Sequence, residues 1–405
     1  MTSKPTLARA LNLPLTVLFG LGVTIGAGIY VLIGATAGRA GMHAPLAFLL
    51  AGLVMAPTAM AYAELASRLP VSAGEAAYVE AGFNSDLLAR IVGLIVLAVG
   101  VVSAAAIAKG SVGYIREFIA APPSVIIVGV ILIMGIVAAW GILESVTIAA
   151  VMTLIEVGGL LAIIVVGVTS PDLVARMPEI WTGLGDVAAS TGVLSASLLA
   201  FFAFIGFQGL ANIAEEVQNP QRNLPKAIFL TLAISTLFYM IVVWIALIAV
   251  PRSELAAAGA PLSLVFERVT GAPPGVISAI AVIATINGVI VQMVMASRVA
   301  YGMAERNLAP QWLARVSPFT QTPLRATVLV VLLVLVLALA LPLERLAEIT
   351  SQLTLIVFAL VNAALVLLKW RNAPLTEGAY TVPVAVPIAG CGLCVALLIA
   401  AYFGA

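Results

Sequence analysis

Apolar positions in this chain come in long runs separated by isolated charges, and the runs outlast any strand of a water-soluble core. Residues 10–38, 40–63, 91–108, 118–143, 187–214, 227–251, 269–297, 326–343, 349–368 and 378–405 each lack Asp, Glu, Lys and Arg. Each can form a helix of roughly 20 residues, which crosses a hydrocarbon layer of about 30 Å. An eleventh run, residues 145–171, is interrupted only by Glu156. The pattern predicts an all-α integral membrane protein of about eleven transmembrane helices, since a helix satisfies its own backbone polar groups in lipid. Residues 261–266 and 310–314 are apolar but too short to span, and read as interfacial helices. Nothing divides the chain, so residues 1–405 are expected to form one transmembrane domain.

Composition removes the main alternatives. Charged residues are 9% of the 405 and apolar ones 63%, against about 25% charged in soluble domains. A net charge of +1 offers no field for nucleic acid. Two cysteines and one histidine support neither a disulfide framework nor a multi-ligand metal site, so no cofactor or metal is expected. Lys4, Arg9 and the Ala35-Thr36-Ala37 triplet imitate a secretory signal. A signal's apolar region is about 7–15 residues, so the first run is expected to stay as a span. Twelve of the nineteen basic residues fall on the side of the N-terminus, Arg68, Arg90, Arg298 and Arg325 among them. That bias places the N-terminus in the cytoplasm and, for an odd span count, the C-terminus outside the cell membrane.

Two spans carry signs of failing as helices. The first contains Gly20, Gly22, Gly26, Gly28 and Gly34, with Thr24-Ile25-Gly26-Ala27-Gly28-Ile29-Tyr30 at its centre. The sixth contains Phe201-Phe202-Ala203-Phe204-Ile205-Gly206-Phe207-Gln208-Gly209. Glycine weakens a helix by about 1 kcal/mol relative to alanine, and small residues also serve close helix packing. Position favours a break over packing. The two segments open successive blocks of five spans, residues 10–168 and 187–369, with residues 378–405 as an additional span. Five is odd, so the blocks enter the membrane from opposite sides, and interrupted helices at matching places of inverted halves mark a transporter's binding site. A half-helix N-terminus in the first span offers amides to an anion. Carbonyls freed in the sixth can accept from an ammonium, so the two poles fit a zwitterion.

The sequence also resembles the amino acid–polyamine–organocation (APC) superfamily of permeases. The matching residues are Gly22-Val23-Thr24-Ile25-Gly26-Ala27-Gly28-Ile29-Tyr30, Ala61-Tyr62-Ala63-Glu64-Leu65 with Pro70 to Glu75, and Phe202 to Phe207. Ala214 to Ile228 is the most specific stretch, and Ser297 to Ala304 with Pro310, Thr322 and Pro323 follows the same order. The resemblance implies the five-plus-five inverted-repeat fold of neurotransmitter-sodium-symporter type, with amino acids or related amines as cargo. It places the carboxylate-binding amides at Ile25, Gly26, Ala27 and Gly28. Carbonyls facing the amine fall at Val23, Thr24, Phe202 and Ile205, beside Gly206, and Phe202 and Phe204 become candidates for an aromatic lid.

The sequence departs from the family pattern at three positions. Glu156 stands where several members carry a lysine whose proton replaces a sodium ion. An ionisable group inside a span costs about 2.5–3.5 kcal/mol to insert, so Glu156 is expected either to couple transport to H+ or Na+ or to be a hydrogen-bonded structural carboxyl. Gln208 replaces a glutamate that gates some exchangers, and Asn307 replaces a loop glycine. Asn287 and Gln292 are candidates for the solute pathway or for interhelical hydrogen bonds. Lys109 is expected to snorkel, and Glu215, Glu216 and Arg222 to form an ion-pair network. Cys391, Cys394 and His43 are expected to carry no chemistry. The expected function is secondary active transport of amino acids, neutral ones first, with export or exchange of a related amine or polyamine as the alternative. A channel would need a selectivity loop or charged ring, an enzyme a nucleophile–base set, and an ATP-driven pump a Walker-type loop. The chain carries none of these motifs. The partners expected are the small-molecule substrate and the membrane lipids.

Overall fold

The computed structural model describes residues 11–69, 74–140, 146–169, 175–183, 185–305, 309–317, 319–373 and 378–403. Among them the chain is helical, with one isolated bridge between Leu11 and Val217. The helices are α1 (Leu13–Ala40), α2 (Ala44–Arg68), α3 (Gly74–Phe83), α4 (Asp86–Gly110), α5 (Pro123–Trp140), α6 (Val146–Val168) and α7 (Val187–Phe202). They continue as α8 (Pro220–Ala249), α9 (Arg252–Ala257), α10 (Pro261–Thr270), α11 (Gly275–Glu305), α12 (Leu324–Ala340), α13 (Leu343–Trp370) and α14 (Ala385–Phe403). Among the described residues seven helical runs are long and apolar enough to cross a membrane, one of them Leu13–Arg68, which holds both α1 and α2. Three more apolar helices are shorter: Ala189–Phe202, Leu324–Ala340 and Ala385–Ala400. The architecture is that of an integral membrane protein.

α1 runs through the centre of the bundle, packed on α6, α7, α8, α9 and α11. Its start is fixed by Asn12, whose side chain accepts from the Leu15 amide at 3.1 Å, a cap worth about 1 kcal/mol. Helices α5, α6, α12 and α14 expose Leu132, Ile133, Leu154, Val328, Leu332 and Ile388. Outward apolar faces of this kind suit lipid rather than water. The connection expected between residues 68 and 90 holds α3, which lies so close to α13 that a Cβ on Gly82 would sit 2.5 Å from the Ala364 Cα.

Ion pairs tie the helix ends together. Glu64, fully buried, pairs with Arg68, with Lys369 at 2.7 Å, and accepts the Val382 amide at 2.7 Å. One carboxylate so joins α2, α13 and the segment entering α14, with enough donors to offset its loss of water. At the opposite end Arg39 of α1 pairs with Glu348 of α13 at 2.5 Å. Lys109 stands in the last turn of α4. Its amine donates to the carbonyls of Leu341 at 2.7 Å and Ala338 at 3.2 Å, closing the C-terminal end of α12 where the helix dipole favours a cation. The network expected of Glu216 and Arg222 is not formed among the described residues. Instead the Glu216 carbonyl accepts the Leu11 amide at 3.0 Å. The Glu215 side chain, Lys4, Arg9, Pro70 to Ala73, Arg306 and Asn307 lie outside the described residues.

Candidate functional site

The glycines of α1 divide into two kinds. A Cβ on Gly22 would collide with the Thr153 hydroxyl and one on Gly20 with that of Thr231. One on Gly28 would lie 2.5 Å from the Ala203 Cα, and one on Gly34 2.7 Å from the Leu255 carbonyl. These four are packing glycines. Gly26 differs on both counts: its backbone leaves the helix, at φ 12° and ψ −138°, and nothing lies within 4 Å of where its Cβ would be. The break in α1 is therefore one residue wide and opens on empty space.

The second break is longer. α7 stops at Phe202, residues 203–208 form turns, and a four-residue helix resumes at Gly209. Gly206 takes φ +142°, a region that side chains resist, and a Cβ there would strike the Val23 carbonyl. Its amide donates to the Gln208 side-chain oxygen at 2.9 Å. The breaks touch each other at Gly28–Ala203 and at Val23–Gly206. Tyr239 of α8 joins them from behind. Its buried hydroxyl lies 2.8 Å from the Thr24 carbonyl and 2.7 Å from the Ala203 carbonyl. One phenol donates one proton, so it satisfies one of the two carbonyls at a time. Phe204 and Phe48 hold its ring edge-on, at centroid distances of 5.0 and 5.6 Å.

In front of the breaks lies a cavity of about 90 Å³. By the same measure one water needs about 10–15 Å³, so the space suits a solute of a few heavy atoms. α1 contributes Phe19, Gly22, Val23, Thr24, Gly26, Ala27 and Gly28; α7 and its turn add Phe202 and Ile205. Ser103 and Ile107 come from α4, Thr153 from α6, and Asn287, Gly288, Val291 and Gln292 from α11. Among the described residues no charged side chain lines it.

Of the residues expected at the site, Val23, Thr24, Gly26, Ala27, Gly28, Phe202 and Ile205 line the cavity. Ile25, Phe204 and Gly206 do not. Phe204 cannot act as a lid in this structure, because its fully buried ring is packed against Tyr239. Asn287 and Gln292 do line the space. Glu156 sits one layer behind: it is fully buried, and Asn287 donates to its Oε1 at 3.3 Å while Oε2 has no hydrogen-bond partner. Its backbone carbonyl accepts from the Tyr30 hydroxyl at 2.9 Å, which ties α6 to the C-terminal half of α1. Sequence reasoning missed Ser103, Thr153 and Tyr239. Tyr239 carried a readable signal, since a phenol in a charge-free span must find a hydrogen-bond acceptor.

The amino acid permease family model matches residues 11–405. The chain belongs to the amino acid permease family. Among the permease's relatives, the methylthioribose transporter of Bacillus subtilis (strain 168) is 29% identical over 97% of this chain and 88% of its own length. The branched-chain amino acid permease BcaP of the same strain is 29% identical, over 92% and 84%. The vacuolar cationic amino acid transporter 4 of Arabidopsis thaliana is 30% identical, over 93% and 66%. All are named as transporters or permeases rather than enzymes, and the permease is accordingly a multi-pass membrane protein of a solute-transport family.

Proposed function

We propose that this permease is a secondary active transporter of neutral amino acids. It works by alternating access across the cell membrane, through about eleven spans arranged as two inverted five-helix repeats, residues 10–168 and 187–369, with residues 378–405 as an additional span. The N-terminus is cytoplasmic and the C-terminus outside. The observation that carries this reading is the uncharged cavity where the two broken helices meet. The interruption of α1 at Gly26 makes the Gly26, Ala27 and Gly28 amides the candidates to face a carboxylate, with the positive end of the half-helix that follows behind them. Carbonyls at Val23, Thr24, Phe202 and Ile205 are the matching acceptors for an ammonium.

Absence of charge in the lining selects among cargoes. A cationic side chain or a polyamine carries a positive charge beyond the α-amine, and burying it without a carboxylate is costly. Five polar side chains line the cavity, Thr24, Ser103, Thr153, Asn287 and Gln292, and none is ionised. The Bacillus relative BcaP is named for branched-chain amino acids and the Arabidopsis relative for cationic ones; the uncharged lining favours the first chemistry. Glu156 supplies the coupling: an ion, H+ or Na+, neutralises it, and Asn287 connects it to the occupied cavity.

Purified permease in proteoliposomes is expected to take up or exchange at least one small neutral amino acid, and not lysine, arginine or polyamines. Uptake confined to cationic compounds contradicts the substrate class. Failure of every amino acid and amine to move contradicts the function.

A further inference from the structure

The connection between α11 and α12 presents large apolar side chains away from every span. In the 3-10 turn Gln311–Ala314, Trp312 is 46% exposed; Val316 is 47% and Phe319 96% exposed. The described part of the connection is held at several points. The Gln311 side chain donates to the Ala304 carbonyl at 2.9 Å, Leu313 is buried, and the Ser317 amide donates to the Thr322 carbonyl at 2.9 Å. The Thr322 hydroxyl donates to the Ala139 carbonyl at 2.7 Å, fastening the loop to the end of α5 next to Trp140, itself 65% exposed. A hydrogen-bonded loop with three large apolar groups outward is unfavourable in water, and aromatic side chains at span ends belong at the membrane interface.

The charges beside these groups name the partner. Arg315 and Arg325 are exposed and form no ion pair among the described residues. From position 298 to 325 the sequence holds four arginines and one acid, Glu305. A zwitterionic lipid surface also carries phosphates, but a choline ammonium balances each one, whereas an anionic surface leaves net negative charge for the guanidinium groups to neutralise. Arginine's planar donors match phosphate oxygens two at a time.

We propose that Trp312, Arg315, Val316, Phe319 and Arg325 form a docking surface for anionic phospholipid headgroups. Trp312, Val316 and Phe319 enter the interface, and Arg315 and Arg325 hold the phosphates. The surface lies at the end of α11, the helix that brings Asn287 and Gln292 to the cavity. Bound lipid would fix that end of α11.

The test uses full-length protein with Trp140, Trp181, Trp244 and Trp370 replaced by phenylalanine, leaving Trp312 as the sole tryptophan. It is reconstituted in phosphatidylcholine vesicles containing brominated phosphatidylglycerol or brominated phosphatidylcholine at equal mole fraction. Brominated phosphatidylglycerol is expected to quench Trp312 the more strongly. R315Q and R325Q are each expected to lower that preference by roughly fivefold at low salt, with high salt acting in the same direction. If the single-tryptophan protein does not fold, the difference in quenching between wild type and Trp312→Phe gives the same quantity. Equal quenching by the two lipids, a preference that neither arginine substitution changes, or no quenching by either lipid overturns the proposal.

Discussion

Gly26→Val is expected to abolish amino acid binding while leaving the protein folded. Beyond its own stretch of α1, nothing among the described residues lies within 4 Å of where a Cβ would stand at Gly26, so the new side chain enters the cavity. The cavity is about 90 Å³, and an isopropyl group takes much of it. It also covers the amides proposed for the carboxylate. We expect affinity to fall at least about 100-fold, roughly 2.7 kcal/mol, in protein that still inserts and folds. Gly28→Val is the contrasting substitution. Its Cβ would sit 2.5 Å from the Ala203 Cα, so it forces the broken helices apart and is expected to cost about 1–3 kcal/mol of stability or more. Ligand titration followed by thermal unfolding separates the two effects. Undiminished affinity in Gly26→Val would place the carboxylate site elsewhere.

The second large effect is expected at Glu156. Its side chain is fully buried, Asn287 donates to one carboxyl oxygen, and the other has no partner. An ionised carboxyl in that position leaves a charge unmatched inside the membrane, so a proton or a cation must accompany it during the transport cycle. If the ion is a proton, uptake rises as the outside is acidified. One pH unit of gradient supplies about 1.4 kcal/mol, enough for about tenfold accumulation. Glu156→Gln keeps the shape and the hydrogen bond to Asn287 but carries no charge. It is expected to exchange amino acid across the vesicle membrane without accumulating it, and with no response to pH or sodium. An unchanged ion dependence would make Glu156 a structural carboxyl.

The sequence displayed the membrane class almost completely, because burial in lipid needs long charge-free runs and those are visible one residue at a time. It also located both breaks, through Gly26 and Gly206. It did not separate Gly26 from Gly20, Gly22, Gly28 and Gly34. That distinction depends on what stands opposite each glycine: Thr231, Thr153, Ala203 and Leu255 in four cases and open space in one. The same limit explains Phe204. An aromatic beside a break is equally a lid or a packing ring, and only the position of Tyr239, 35 residues further along the chain, decides it. Ser103 and Thr153 were invisible for a related reason, since a hydroxyl in a membrane helix can always bond back to its own backbone. Lys109 was legible as a charge near a span end, but the helix terminus it closes lies more than 200 residues away.

The central claim is that one amino acid binds where the two interrupted helices meet, and a structure of the permease with a bound neutral amino acid tests it most directly. The account predicts the carboxylate within hydrogen-bond distance of the Gly26, Ala27 and Gly28 amides. It places the ammonium against carbonyls drawn from Val23, Thr24, Phe202 and Ile205, with Asn287 at the edge of the ligand. Ligand density in any other cavity, or with its amine and carboxylate reversed between the two breaks, would contradict it.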